Sequence, residues 1–506
     1  MGLRDFTVAD VIERNAQVHG ERLAFVADGL RISHGEYARR VARLCAGLAG
    51  IGLVAGERVA ILAQNCLAYV DLYGAAARLG LIVVPVNWRL SAEEIAYVLI
   101  DTTPKAIVTD AEYLPIIDAA RDRLPFVERF FTLGAAAGAF SAFDELARAD
   151  TADPAPSADF PAESGFVIIH TAAVGGRPRG ALLSHAGLLA ANLQLSGCWD
   201  LSTQDVHLAV LPLFHASGLG LMLAVQHAGG ATVVMPRFDP SAVIQAIISE
   251  RVTVFAEFPP MLGALLDKAA RDDDLSSLRH LAGLDTPDTI GRFESRCPSA
   301  RFWAGYGQSE VSGLVTLAPF REKPGSAGKP TMLNRVSVVD DLDRVLPAGQ
   351  TGEIVVRGPM VFNGYWNCEA DNEFTFRNGW HHTGDIGRFD DDGYLWYAGR
   401  SPAKELIKPG GENVYPAEVE KALLEHPAIA EAVVFGVPDP QWGEAIKAVC
   451  VCREGQAVAS AELIEFVGAR IARFKRPRHV VFSDALPKNA QGLLDRPRIK
   501  QEFTSA

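Results

Sequence analysis

Apolar positions along the chain alternate between two patterns, one recurring every third or fourth residue and one running almost unbroken for four or five residues. The first pattern predicts helices over 36–48 behind Ser33, over 66–79, and over 91–100 with Ser91 as cap. Thr7 and Asp10 have the spacing of a capping box that opens another helix. The second pattern predicts buried strands at 23–26, 59–63, 82–86 and 106–108. Helix and strand in strict alternation imply right-handed crossovers and a largely parallel sheet. Residues 149–161, rich in Ala, Asp and Pro, predict a linker. Beyond it, strands are expected at 206–213, 232–235 and 252–255 and a helix at 261–269. From 335 to 357 the pattern turns strand-rich, with 336–339 and 353–356 around a polar turn, which predicts a smaller β unit. The last hundred residues predict helices at 417–425 and 461–474 and strands at 432–435 and 448–452.

Composition narrows the class. At 506 residues and 49% apolar, the chain has room for several folding units with ample core. A formal net charge of -13 argues against a nucleic-acid surface. The seven cysteines form no metal-ligand spacing, and their odd number argues against a disulfide framework. The most apolar region, 208–235, is interrupted by His215, Ser217 and His227, so no integral membrane segment is expected. Asp5 and Asp10 close behind Arg4, with no long apolar core, argue against a cleaved signal, and the expected location is cytoplasmic. Oligomeric state is left open, a homodimer being compatible with the sequence.

Candidate chemistry collects in glycine-rich stretches. Residues 170–185, HTAAVGGRPRGALLSH, follow an apolar run at 165–169. Gly175, Gly176, Gly180 and Pro178 break regular structure, Arg177 and Arg179 add positive charge, and Ser184 caps the helix expected over 186–195. Exposed N–H groups and cations in such a loop can surround a polyphosphate, although the Gly-Lys-Ser/Thr ending of a Walker A loop is absent. A phosphate cradle and an ordinary turn between strand and helix both remain open on these residues alone. In GYGQSE, 305–310, Tyr306 suits stacking on a base, Ser309 a phosphate and Glu310 a hard cation such as Mg²⁺; a tight turn with a solvated glutamate is the alternative. In HHTGD, 381–385, Asp385 can accept both hydroxyls of a ribose, and Arg400 can bond the same sugar or a phosphate in fork geometry.

The order and spacing of these blocks resemble the adenylate-forming superfamily of acyl-CoA synthetases, luciferases and peptide-synthetase adenylation domains, over essentially the whole chain. Thr171, Gly175, Gly176, Arg179 and Gly180, followed by Ser184-His185, stand where that family has its T-S-G-T-T-G-x-P-K-G loop. Gly305, Tyr306, Gly307, Ser309 and Glu310 match its Y-G-x-T-E block, and Thr383-Gly384-Asp385 its T-G-D ribose block. Gly399-Arg400 and the run GGENVYP at 410–416 match its hinge and first C-terminal loop.

The resemblance implies an α/β fold: a large N-terminal domain, 1–398, of doubly wound αβα subdomains plus a small β-rich subdomain, and a small mobile α+β C-terminal domain, 399–506. It also implies an AMP-forming carboxylate–CoA ligase. A carboxylic acid substrate attacks the α-phosphate of MgATP to give acyl-AMP and pyrophosphate, and the thiol of CoA then displaces AMP. ATP, Mg²⁺ and CoA are the implied cofactors, with Glu310 as the metal ligand. By position His215 resembles the histidine that gates the thiol tunnel. Lys404 resembles the hinge residue, with Pro402 open because the segment is two residues longer than the common form. Gly411, Trp442 and Lys475 fall where relatives contact CoA, and a solvated helix end is the other reading of Lys475. The acyl pocket falls at 215–222, 283–287 and 304–307.

Two departures touch the chemistry. Where the family ends in P-K-x-x-x-G-K, with the last lysine on the α-phosphate, Gly492 is followed by Leu493. Ala172, Ala173 and Val174 likewise remove the loop's hydroxyls, and 283–287, GLDTP, differs from the family's G-G-A-P-like block. Three readings follow: a working ligase in which another cation, Lys488 or Arg179, supplies the charge; a protein limited to thioester formation; or a non-catalytic nucleotide- or acyl-CoA-binding protein.

Overall fold

A computed structural model describes residues 2–148, 159–171, 178–400, 406–488 and 494–504. The expected linker over 149–158 and most of the glycine-rich loop therefore lie outside the described residues. The expected alternation builds two large sheets. One has eight strands in the order Gly364–Tyr365, Arg179–Ser184, Gly165–Thr171, Ile82–Pro85, Arg58–Leu62, Ala106–Thr109, Arg129–Thr132 and Ser141–Ala142. The other has nine, from Lys329–Pro330 and Gly313–Pro319 through Arg301–Gln308, His280–Gly283, Val254–Glu257, Val206–Ala209, Ala231–Val234 and Leu23–Ala27 to Leu30–Ser33. Both are parallel in the middle and antiparallel at an edge, so the sheets are mixed.

Between the sheets lies a helical layer whose apolar faces point both ways. Leu67–Leu79 is buried almost all round, and it packs with Val8–His19, His34–Gly50 and Ala216–His227 against Phe25 of one sheet and Val59 of the other. Each sheet's outer face has its own helices: Ile95, Val98 and Leu99 cover the first, and Leu262, Leu265, Ile290 and Phe293 cover the second. This is the doubly wound arrangement, with both faces of each parallel core removed from water. The small β unit is a four-stranded antiparallel sheet of Arg335–Val339, Gly352–Arg357, His381–Phe389 and Leu395–Arg400. Past it, Ile429–Asp439, Gly443–Cys452 and His479–Phe482 form a three-stranded sheet, with Pro416–Leu424 and Ser460–Gly468 on one face and Arg496–Phe503 on the other. Among the described residues, no helix is long and apolar enough to cross a membrane.

The expected caps are present: Thr7 and Asp10 form the capping box, and Ser33, Ser91 and Ser184 accept backbone N–H bonds at their helix starts. Several boundaries differ from expectation. The strand expected over 206–213 stops at Ala209, because Asn65 takes over the backbone bonding beyond it: its amide donates to Ala209 and Leu211 carbonyls at 3.3 and 2.9 Å and accepts from Leu213 N at 2.8 Å. The chain then turns so that His215 caps Ala216–His227. The strand expected at 252–255 lies two residues later, at Val254–Glu257, because its ladder begins where Val254 meets His207 and His280, a non-local pairing. The helix expected over 461–474 ends at Gly468, and a separate turn, Arg473–Lys475, directs Lys475 inward. Finally, Arg179 and Gly180 belong to a strand, so the glycine-rich loop joins two antiparallel strands rather than a strand and a helix.

Close packing of the helical layer on the segment Phe143–Arg148 depends on Gly47, where an added Cβ would stand 2.1 Å from the Leu146 carbonyl oxygen. That neighbour is backbone and cannot rotate away. Gly47→Ala is therefore expected to cost about 1–3 kcal/mol, read as a lower thermal or urea midpoint with function retained at low temperature.

Candidate functional site

The centre of the site is built where the edge of the nine-stranded sheet meets the small β unit. Strand Arg301–Gln308 carries Gly305, Tyr306 and Gly307 and folds back through Ser309–Val311 onto Gly313–Pro319. Only glycine fits at 307, where a Cβ would lie 1.9 Å from the Gly313 carbonyl oxygen. The hairpin brings Tyr306 Oη to donate to Asp385 at 2.6 Å, with the Gln308 amide donating to the same carboxylate. Arg400 Nε lies 3.0 Å from the other Asp385 oxygen. Asp385 is 1% exposed, and its turn is held from behind by Glu353, which accepts from Gly384 N at 2.8 Å and pairs with His382 at 2.9 Å. Two cationic or hydroxyl donors on an inward carboxylate beside a tyrosine ring suit a sugar diol under a base.

A second group faces the glycine-rich loop. Glu310 is nearly buried and accepts from Tyr365 Oη at 2.8 Å and Thr171 Oγ1 at 3.3 Å. Arg179 pairs with Asp371 at 3.1 Å and lies 4.0 Å above the Tyr365 ring, an arrangement that fixes its guanidinium beside Thr171 and Glu310. Glu310 is a single carboxylate, and among the described residues no three His, Cys, Asp or Glu side chains form a metal cluster. Such a donor suits a hard cation whose remaining ligands are phosphate oxygens and water.

The third group comes from the C-terminal unit. The loop between the paired residues Ile407 and Val414 lies against the N-terminal sheets. Gly411 packs on Phe258 and Gly410 on Trp442, and Trp442 also lies 5.3 Å from the Arg478 guanidinium. Glu412 reaches furthest, accepting from Asn87 at 3.2 Å, pairing with Arg89, and standing 3.5 Å from His215 Nε2. Burial works against its ionisation, but His215 and Arg89 overcome it and hold the carboxyl down at about 2. Lys408 lies on the same loop, and desolvation and the Arg400 charge lower its pKa.

The structure thus brings together Thr171, Arg179, Gly180, Gly305, Tyr306, Gly307, Ser309, Glu310, Asp385 and Arg400, with His215, Gly411 and Trp442 at one side. Gly175, Gly176, Lys404 and Leu493 lie outside the described residues. Two expected residues stand apart. Lys475 is 4% exposed in its side chain and is held by Glu418 at 2.7 Å and by Glu94. Lys488 is half-exposed and paired with Glu431 at 2.6 Å on the C-terminal sheet. Sequence reasoning missed Arg89, Glu94, Tyr365, Lys408, Glu412 and Glu418. Glu412 sat inside the run at 410–416, and Glu94 follows Ser91 at capping-box spacing, but charge at those positions reads equally as a solvated surface.

Comparison with known proteins gives the site a family. The family model described as AMP-binding enzyme matches residues 12–366, and that of the AMP-binding enzyme C-terminal domain matches 418–493. A feruloyl-CoA synthase of Amycolatopsis sp is 35% identical over 97% of this chain and 98% of its own. A solved structure from Rhodopseudomonas palustris, assigned in name as a long-chain-fatty-acid CoA ligase, is 52% identical, with a TM-score of 0.76 over 79% of this chain and 100% of that one. The o-succinylbenzoate CoA synthetase of Bacillus subtilis, bound to a product analogue, is 29% identical, with a TM-score of 0.86 over 97% of both chains. The chain therefore belongs to the AMP-binding enzymes of the adenylate-forming superfamily and is an enzyme of their AMP-forming acid–thiol ligase class.

Proposed function

We propose that this protein activates a carboxylic acid with MgATP to an acyl-adenylate and then passes the acyl group to CoA. The observation that carries the reading is the convergence of three groups on one recess: Asp385 with Tyr306 and Arg400, Glu310 with Thr171 and Arg179, and the C-terminal loop with Glu412 against His215. In this reading Asp385 and Arg400 hold the ribose beside Tyr306, while Thr171, Gly175, Gly176, Arg179, Gly180 and Ser309 line the phosphates. Glu310 would hold Mg²⁺, which neutralises charge on the phosphate oxygens when bound. Gly411 and Trp442 would border the path of the CoA thiol. His215, positioned by Glu412, would mark the boundary between that path and the acyl group.

Residues 399–506 would form the unit that changes orientation between the two steps, with Lys404 as hinge. In the orientation seen, the loop carrying Lys408, Gly411 and Glu412 faces the recess, while Lys488 points away with Glu431. A cation is needed where phosphoryl charge develops, and Leu493 cannot supply one. Among the described lysines here, Lys475 is consumed by Glu94 and Glu418 and Lys488 by Glu431, whereas Lys408 stands on the docked loop within range of the Arg400, Asp385 and Glu310 charges.

A panel of aromatic, branched and straight-chain acids with MgATP and CoA should yield AMP and a CoA ester with at least one member. If every acid leaves AMP release at the protein-free rate, the reading fails. Lys408→Ala is expected to lower ATP–pyrophosphate exchange about 100-fold, and Lys488→Ala to change it less than threefold; equal losses in both would remove the assignment of charge to Lys408. Docking of the C-terminal loop should also depend on acid. A carboxyl held below its ordinary value stabilises the docked form above that value and loses the contribution as pH falls, so Glu412 should release the loop between roughly pH 4.5 and 2. Hydrogen exchange at residues 406–415 is expected to speed up across that window in the unmodified protein and to lack the step in Glu412→Gln.

A further inference from the structure

Behind the strand ends of the recess, three rings stack into a box. Trp199 lies parallel to His280, with centroids 5.4 Å apart and planes 14° apart, and Trp303 meets both rings at 6.1 and 5.8 Å. Trp303 Nε1 donates to His280 Nδ1 at 3.0 Å, which fixes the indole rotamer. Burial lowers the His280 pKa to about 4, so the ring is neutral near pH 7 and free to accept that bond. Trp303 is 8% exposed, and it stands two residues before Gly305 on the strand that also carries Tyr306.

The box closes one end of an apolar cluster that includes Leu221, Val254, Ala282 and Leu317. Leu221 belongs to the helix Ala216–His227, whose cap is His215. One face of that helix runs from Ser217, which is exposed, through Gly220, where an added Cβ would meet nothing within 4 Å, down to Leu221 against the rings. Across from it, on the sheet face that carries Trp303, the strand ends present Ala256 and Gly305, both small and partly exposed. Width is therefore generous around Gly220, where the facing residues Ala256 and Gly305 are small. Depth is not, because the next layer is Trp303 clamped by two further rings.

An apolar slot that is wide at the mouth and closed by a rigid aromatic floor fits a flat ring better than an extended chain. A long alkyl chain would need the indole to leave, breaking its bond to His280 and two ring contacts. A ring would lie edge-on to the indole, an arrangement aromatic pairs favour. We propose that Trp303 is the floor of the acyl pocket and sets its depth, so that the protein takes a compact aromatic acid and excludes long alkyl acids. The inference deepens the ligase reading and rests on it. It also separates this chain from the long-chain name carried by its 52% identical relative.

The test uses binding, so that it does not depend on turnover. The full-length protein is titrated with two non-hydrolysable acyl-sulfamoyl adenosines, one carrying cinnamoyl and the other dodecanoyl. The unmodified protein is expected to bind the cinnamoyl analogue at least tenfold tighter. Trp303→Ala should improve dodecanoyl binding at least tenfold while changing a short butanoyl analogue less than threefold. Trp303→Leu, which keeps an apolar side chain, should shift the ratio the same way and serves if the alanine variant unfolds, both variants being checked by circular dichroism. Equal binding of the two analogues by the unmodified protein, or an unchanged ratio in a folded variant, would overturn the proposal. Absence of CoA-ester formation with every acid would instead remove the ligase reading, since the analogue ratio is measured independently of it.

Discussion

The buried carboxylate of Asp385 is the constraint from which the recess is organised. It belongs to the small β unit, where Arg400 faces it from the neighbouring strand Leu395–Arg400, while its other partners, Tyr306 and Gln308, come from the strand Arg301–Gln308 of the nine-stranded sheet. An ionised group so far from water is costly unless it is paired and hydrogen-bonded. Satisfying it requires the small β unit and the nine-stranded sheet to meet, and their meeting point is where a sugar and base can sit. The Glu353–His382 pair behind the turn holds the carboxylate's orientation without entering the recess.

The C-terminal unit is held by two electrostatic anchors of different character. Glu412 is matched by cationic and polar partners on the other side and stays ionised far into acid. The Lys475 anchor has one cation between two carboxylates, so burial lifts Glu418 to about 7 while Glu94 is held below its ordinary range. Lys475 itself is pushed upward by both carboxylates against burial. Its expected contact with CoA is therefore not available in this orientation, because the ammonium is already shared. Both anchors meet the N-terminal end of the helix Pro416–Leu424, Glu412 just before it and Glu418 in its first turn.

Much of the architecture was legible because it follows from local rules. Alternating periods gave the parallel cores, and Ser33, Ser91 and Ser184 marked helix starts through the one bond a cap makes. The strand ending at Ala209 was not legible, since its end is imposed by Asn65, more than 140 residues earlier in the chain. Likewise, the glycine-rich loop betrayed an irregular segment but not that it tips a hairpin, because strand pairing is a non-local fact. In the site, motif residues such as Asp385 and Glu310 could be named from spacing, whereas Arg89, Tyr365 and Glu418 could not. Their importance lies in which carboxylate or cation they face, and charge alone along a sequence does not say.

Glu94 has two tasks that bear on the proposed reorientation of the C-terminal unit. Its carboxylate accepts from Ser91 N at 2.7 Å, closing the capping box of Ala92–Thr102, and the same oxygens receive Ala472 N at 3.1 Å and the Lys475 ammonium. The receptor half of the anchor is thus pre-shaped by the helix it caps, whether or not the other half is present. In the proposed reorientation, departure of the C-terminal unit would leave behind a carboxylate already satisfied by its own helix and open to water, with no partner stranded and no helix end to rebuild. A joint with one face set in this way would open and close with the reorganisation confined to the lysine arm.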